Sequence, residues 1–364
     1  MKRKKAVALL LVGTLLTGGA ALAAEAGSAG DPLIALNWVK NTFLPSALEQ
    51  ASQRIDSTTE ETYRQVLSAQ AGGTELRLKR GDVLRLNTGS GILSLAGGLS
   101  GTASGTVVDV TDATELTTGG TLIPWHKYLA AENTTAAFSV STDTAVVRLS
   151  GGYTLSSSGE TDYNALADAL RSMGLFKGSD LPYGSGYELE NAPTRIQGLI
   201  LFLRLLGEEQ AALTNSGGSG VTFADVPAWA LPYVSYAYDK GYTKGVETDG
   251  QGRVWFGPEN NLAPNDYVTF LLRALGYSEA GSDFSWLTAA HDARTLGVLT
   301  EGEEALLTGS GAFLRAQVAY LSYYALDASV RGGESTLLDR LTASGALDAA
   351  TAAAARSAIT GKRL

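Results

Sequence analysis

The chain has 364 residues, no cysteine, and 37 acidic against 28 basic side chains, a formal charge of −9. That balance argues against nucleic acid and anionic membrane surfaces as general partners, and the missing cysteines exclude disulfides and a lipid-anchored cysteine. The first 23 residues carry a basic start at Lys2, Arg3, Lys4 and Lys5, an apolar run from Ala6 to about Leu16, and small residues at Ala21 and Ala23. This is the pattern of a secretory leader cut after Ala23 and too short to span a bilayer. Its removal takes away four basic residues and no acidic one, moving the formal charge from −9 to −13. No later stretch reads as a membrane span, so an exported chain is expected, and the about 340 residues left are enough for two or three cores.

Residues 31–71 read as helix with a break near Pro45. The apolar spacing of Ile34, Trp38, Leu44, Leu48, Ile55 and Val66 is irregular, so a helix packed on its own chain is expected. A short coiled coil allowing self-association is the alternative. After AGG the period changes to alternation. Leu76 and Leu78, a turn at Arg80-Gly81-Asp82, then Leu84 and Leu86 predict a hairpin, and GTVVDV, KYLAAEN, AAFSVS and AVVRLS predict further strands of a small all-β domain over 73–155. His126 lies within it without acidic or cysteine partners at ligand spacing, so neither a metal centre nor a triad is expected. Asp109, Asp112 and Glu115 cluster on one strand and its turn with no evident partner. SSSGET marks a linker.

Helical periodicity then runs to the end, and the region repeats itself. MGLFKG (173–178) matches KGYTKG (240–245), LFLRLLG (201–207) matches LLRALG (271–276), and a worn third copy has ARTLGVL (293–299) followed by FLRAQVAYLSYYAL (313–326). The unit is helix, glycine-closed loop, helix. Asp225 and Pro227 suit the start of the second copy's first helix, and Thr194 with Gln197 forms a capping-box pattern. That cap puts Arg195 in a first helical turn, against the dipole, which points to a nearby anion.

FADVPAW (223–229), followed by helix and glycine loop, together with PTRIQ and FLRAQ at second-helix starts, closely resembles the S-layer homology family over about residues 160–330. The resemblance implies units at 160–213, 221–278 and 283–330, arranged as a pseudo-threefold helical bundle, with 332–364 as a helical tail. The expected fold class is therefore multidomain α+β: N-terminal helix, all-β domain, then bundle. By the same resemblance the protein is a secreted surface protein of a bacterium with a Gram-positive type of wall, held non-covalently to secondary cell-wall polysaccharide, often pyruvylated. The glycan-binding residues would be Arg195, Thr194, Asp225, Trp229, Gly178, Gly245, Arg315, Lys177 and Lys244, with no cofactor and no catalytic or metal-binding residue. Arginine can hold a ketal carboxylate by two hydrogen bonds and an indole can face a sugar ring. Trp229 can equally be a core aromatic locking its helix. The second copy has Ala263 and Pro264 where Thr-Arg belongs, so at most two of three grooves are expected to bind well. An S-layer lattice subunit, and a wall- or glycan-processing enzyme delivered by the anchor, are the alternatives.

Overall fold

The computed structural model describes residues 73–178, 181–215, 220–359 and 363–364, all within one compact unit, Leu67–Leu364. The expected leader and the helical segment 31–71 lie outside the described residues. The architecture is mixed, with β-sheet first and helices after it.

Ten strands span the first part: β1 (Thr74–Lys79), β2 (Val83–Leu86), β3 (Gly91–Ala96), β4 (Leu99–Ala103), β5 (Val107–Asp109), β6 (Thr114–Glu115), β7 (Lys127–Ala130), β8 (Ala136–Val140), β9 (Thr144–Ser150) and β10 (Tyr153–Ser156). They form a six-stranded sheet ordered β1-β9-β3-β7-β5-β6 and a four-stranded sheet ordered β10-β2-β8-β4. Alternating residues of both sheets, among them Leu78, Leu84, Ile92, Phe138 and Val147, share one buried core.

β1 and β2 are not the expected hairpin. β1 pairs with β9 and β2 with β8 and β10, so the turn at Arg80-Gly81 hands the chain from one sheet to the other. Asp82, buried there, accepts from Lys79 N at 3.0 Å and from Ser158 N at 2.8 Å. The second bond pins the expected linker to the strands it was meant to leave. The outer face of β3 is covered as well: Leu93, Leu95 and Val146 pack with Leu181, Tyr183 and Trp125, the first two of these coming from the helical region. Both faces of GILSLA are buried for that reason.

The helices are α1 (Tyr163–Ser172), α2 (Arg195–Leu205), α3 (Glu209–Leu213), α4 (Leu231–Asp239), α5 (Pro264–Ala274), α6 (Ala289–Thr295), α7 (Glu301–Thr308), α8 (Arg315–Ala325), α9 (Leu337–Ala343) and α10 (Ala349–Ser357). A two-stranded ribbon, β11 (Glu247–Thr248) with β12 (Val254–Trp255), lies between α4 and α5. The first helix of each repeat ends alike. Gly174, Gly241 and Gly297 all have φ of 73–76°, and the next residue donates back to a carbonyl five positions earlier: Leu175 to Leu170, Tyr242 to Ala237 and Val298 to Ala293, at 2.8–2.9 Å. Only glycine reaches that conformation without strain, which explains why the match in sequence centres on it. The apolar faces of α1, α2, α5, α8 and the tail helices meet in a single core, where Leu337, Leu341 and Leu347 of the tail are buried.

The two regions touch along β1. Arg77 pairs with Asp168 of α1 at 2.9 Å, Asn164 donates to the Leu78 carbonyl at 3.3 Å, and Trp125 meets Tyr183 edge-on at 5.2 Å. Among the described residues, no helix is long and apolar enough to cross a membrane.

Candidate functional site

Two helices open with arginine at their first position, α2 with Arg195 and α8 with Arg315. The free N–H groups of each start are satisfied by the loop of another repeat. Arg195 N donates to Asn260 O and Ile196 N to Pro258 O; Arg315 N donates to Asn191 O and Ala316 N to Leu189 O, at 2.8–3.1 Å. The capping box at Thr194 and Gln197 is formed. At the corresponding start of α5, Pro264 has no N–H to give, so this join cannot be made in the same way.

Arg195 is only 6% exposed and lies beneath a groove of about 300 Å³. Its Nη1 pairs with Asp266 at 2.8 Å, and its guanidinium lies over the rings of Phe256 and Phe270 at 5.2 and 5.5 Å. Its Nε and the hydroxyl of Thr269, another lining residue, are buried without a hydrogen-bond partner. Lys244, Gly245, Arg273, Glu279 and Trp286 complete most of the wall. One groove therefore gathers Arg195 from the first repeat, Lys244 and Gly245 from the second, and Trp286 from the third.

Lys244 is held in place. Glu279 receives Lys244 and Arg273, both at 2.7 Å, and the first repeat has the same lock, with Glu209 receiving Lys177 at 2.9 Å and Arg204 at 2.8 Å. Burial acts to raise both carboxyls, but these hydrogen bonds and charges outweigh it and hold Glu209 and Glu279 below the usual carboxylate range. Sequence reasoning missed this lock, although an arginine three residues before Gly207 and Gly276 and a glutamate two or three after were visible in both copies.

Arg315 differs. It is 7% exposed, its Nε donates to Tyr187 O at 2.8 Å, and it lies 5.7 Å over Phe176, but it has no ion pair among the described residues. Burial pulls its guanidinium below the usual range; Glu188 opposes this and Arg204 adds to it.

Other expected site residues fall elsewhere. Asp225 does not cap a helix: it accepts from Phe256 N at 2.9 Å and Gly257 N at 2.7 Å, because Phe223 and Ala224 run beside β12 before the chain turns. α4 begins at Leu231, past Pro227, with Pro232 in its first turn. Trp229 is 57% exposed, which excludes the core lock, and it does not line the Arg195 groove; Trp286, equally exposed, does. The glycines serve their own loops. A side chain on Gly178 would meet Gly186 O at 2.6 Å, one on Gly245 would meet Val254 at 2.3 Å, and Gly245 N already donates to Thr243.

His126 has the acidic partners that the sequence did not reveal. Pairing of β5 with β7 brings its Nδ1 to 2.8 Å from Asp109 and 3.8 Å from Asp112. Donor atoms of these three lie within 4.8 Å of one another, close enough to share a metal ion. The geometry explains Asp109 without one: His126 and the N–H groups of Thr111 and Asp112 outweigh burial and hold its carboxyl low.

No family model matches the chain. A cell surface protein of Thermoanaerobacter kivui is 30% identical over 132 residues, covering 33% of this chain. The chain spans 16% of that relative's length.

Proposed function

We propose that the helical region is a glycan-binding anchor of the S-layer homology type, which holds a secreted protein non-covalently at the bacterial cell wall and presents the β-sheet region outward. The observation that carries this reading is the convergence of Arg195, Lys244, Gly245 and Trp286, one contribution from each repeat, at one groove. Three repeats that each lend a part to a neighbour's groove form a pseudo-threefold ring. The cell surface protein of Thermoanaerobacter kivui supports the setting. In this reading the residues bind and do not catalyse: the guanidinium meets anionic or hydroxyl oxygens, the locked lysine adds charge at the rim, and the exposed indole faces a sugar ring. By the same ring relation, Trp229 of the second repeat serves the Arg315 side, with Lys177. The Pro264 side lacks its cation, leaving two working grooves.

The test is retention of the mature chain by purified wall sacculi, before and after chemical removal of the secondary polysaccharide. Retention that depends on the polysaccharide is expected. Equal retention by stripped sacculi, or none by either, overturns the reading.

A further inference from the structure

We infer that Asp109, Asp112 and His126 form a three-ligand site for a divalent transition-metal ion of the zinc type, where β5 and its turn meet the start of β7. The site belongs to the sheet region and does not depend on the proposed glycan anchor.

Charge is the first argument. Among the described residues the buried carboxylates are Asp82, Asp109 and Glu303, and two of them face a fixed cation: Asp82 has Lys79 at 3.5 Å and Glu303 has Arg363 at 2.8 Å. Asp109 has neither lysine nor arginine within ion-pair distance, only the imidazole of His126 at 2.8 Å. A buried carboxylate without a compensating cation is costly, and a second one beside it adds to the cost. Asp112, in the turn after β5, is that second one. Its Oδ2 lies 3.8 Å from the same imidazole nitrogen, and its carboxylate accepts no hydrogen bond among the described residues. The N–H groups of Thr111 and Asp112 both donate to Oδ1 of Asp109, which fixes the carboxylate and leaves Oδ2 facing Nδ1. Outer donors of this kind orient a metal ligand. The turn is itself held to the start of β7, by Val110 N to Lys127 O at 2.8 Å and Lys127 N to Thr111 Oγ1 at 2.9 Å.

Distance and donor type select the ion. Zinc bonds of about 2.0–2.1 Å in a tetrahedral arrangement set ligand atoms roughly 3.3 Å apart. The separations of 2.8 and 3.8 Å lie on either side of that value, and the exposed side chain of Asp112 can close the longer one by a small rotation. One imidazole nitrogen with two carboxylate oxygens suits zinc or a neighbouring first-row ion, whereas calcium seeks six to eight oxygens and magnesium a near-ideal octahedron. The metal takes Nδ1 unprotonated, with the ring proton on Nε2. Three protein ligands leave a fourth position to water.

The chain supplies its own control, because it has no cysteine and two histidines, and the other, His291, is paired with the single carboxylate of Glu304. Zn²⁺ is the probe, titrated into the mature chain after treatment with a chelator, with heat of binding measured and the imidazole resonances followed by NMR; His291→Gln identifies which signals belong to His126. One equivalent of Zn²⁺ is expected to move the His126 signals and leave those of His291 in place, and Ca²⁺ at the same concentration to move neither. Asp112→Asn removes a ligand at an exposed position while keeping the Asp109–His126 bond. It should weaken Zn²⁺ binding by about a hundredfold, since loss of an outer-shell partner alone costs about ten- to a hundredfold. His126→Gln should abolish the site, and His291→Gln should leave it unchanged. No His126 response to Zn²⁺, a His291 response within twofold of it, or unchanged affinity in the folded Asp112→Asn variant overturns the inference.

Discussion

The β-sheet region and the helical region reach closed cores by opposite routes. In the sheets the decisive contacts are distant in sequence, as where Leu78 sits opposite Ala145 and Leu84 opposite Phe138. In the helices one local device, a glycine turn that returns its hydrogen bonds to the preceding helix, is used three times. The difference teaches how closure can be shared: the β-sheet half depends on its long-range pairings, while the repeating half closes a single core although one of its three second-helix starts, at Pro264, lacks the join that the other two make. The halves are nonetheless fastened together through Arg77, Asn164, Trp125 and Tyr183.

The largest test of that fastening is Phe138→Ala, which empties a fully buried site between the sheets and should cost about 3–5 kcal/mol. Calorimetry should show the described unit melting in one lowered transition; a helical transition left at its original temperature would make the regions independent. Gly245→Ala comes next. Positive φ and the close approach of Val254 should cost about 1–3 kcal/mol, against about 1 kcal/mol for Gly174→Ala, where φ is also positive but space is open. Equal losses in chemical denaturation would show that the loop around Gly245 relaxes freely.

The contrast also decides what could be read in advance. Thr194 with Gln197, the turn glycines and the arginines at helix starts are local signals, and they survive into the fold. The β1–β2 hairpin failed because a tight turn says nothing about which edges the strands seek. His126 with Asp109, Glu279 with Lys244, and Trp286 with Arg195 at one groove each join residues that become neighbours only once strands or repeats are assembled. Asp225 failed for a related reason: its acid and proline imitate a helix start, but the parallel bridge of Phe223 to Val254 holds the segment extended.

Smaller effects refine the comparison. Glu209 and Glu279 have carboxyls depressed in the fold, so the stability they add is complete above their unfolded pKa and is lost as pH falls through the lower, folded values. Acid unfolding should therefore begin below about pH 4. A Glu209→Gln, Glu279→Gln double variant should start less stable at neutral pH and show a flatter acid limb; an unchanged limb would remove these locks from the account. Trp286→Ala and Trp229→Ala should shift stability least, by about 0.5 kcal/mol or less, because both indoles are exposed. Each should reduce sacculus retention. Retention unchanged in the double variant would exclude the indoles from the grooves.

The edge contact between β1 and α1 has a mechanical consequence. Hydrogen-bonded strands lie about 4.8 Å apart, so β5, four places from β1 in its sheet, stands about 19 Å from the fastened edge. Because β1 is tied to α1 by an ion pair and a hydrogen bond, and the segment after β10 is tied back to Asp82, that distance acts as a fixed arm and not as a tether. A load on the helical region would be passed to the strands as shear across β1, and the Asp109–His126 edge keeps one bearing relative to that region.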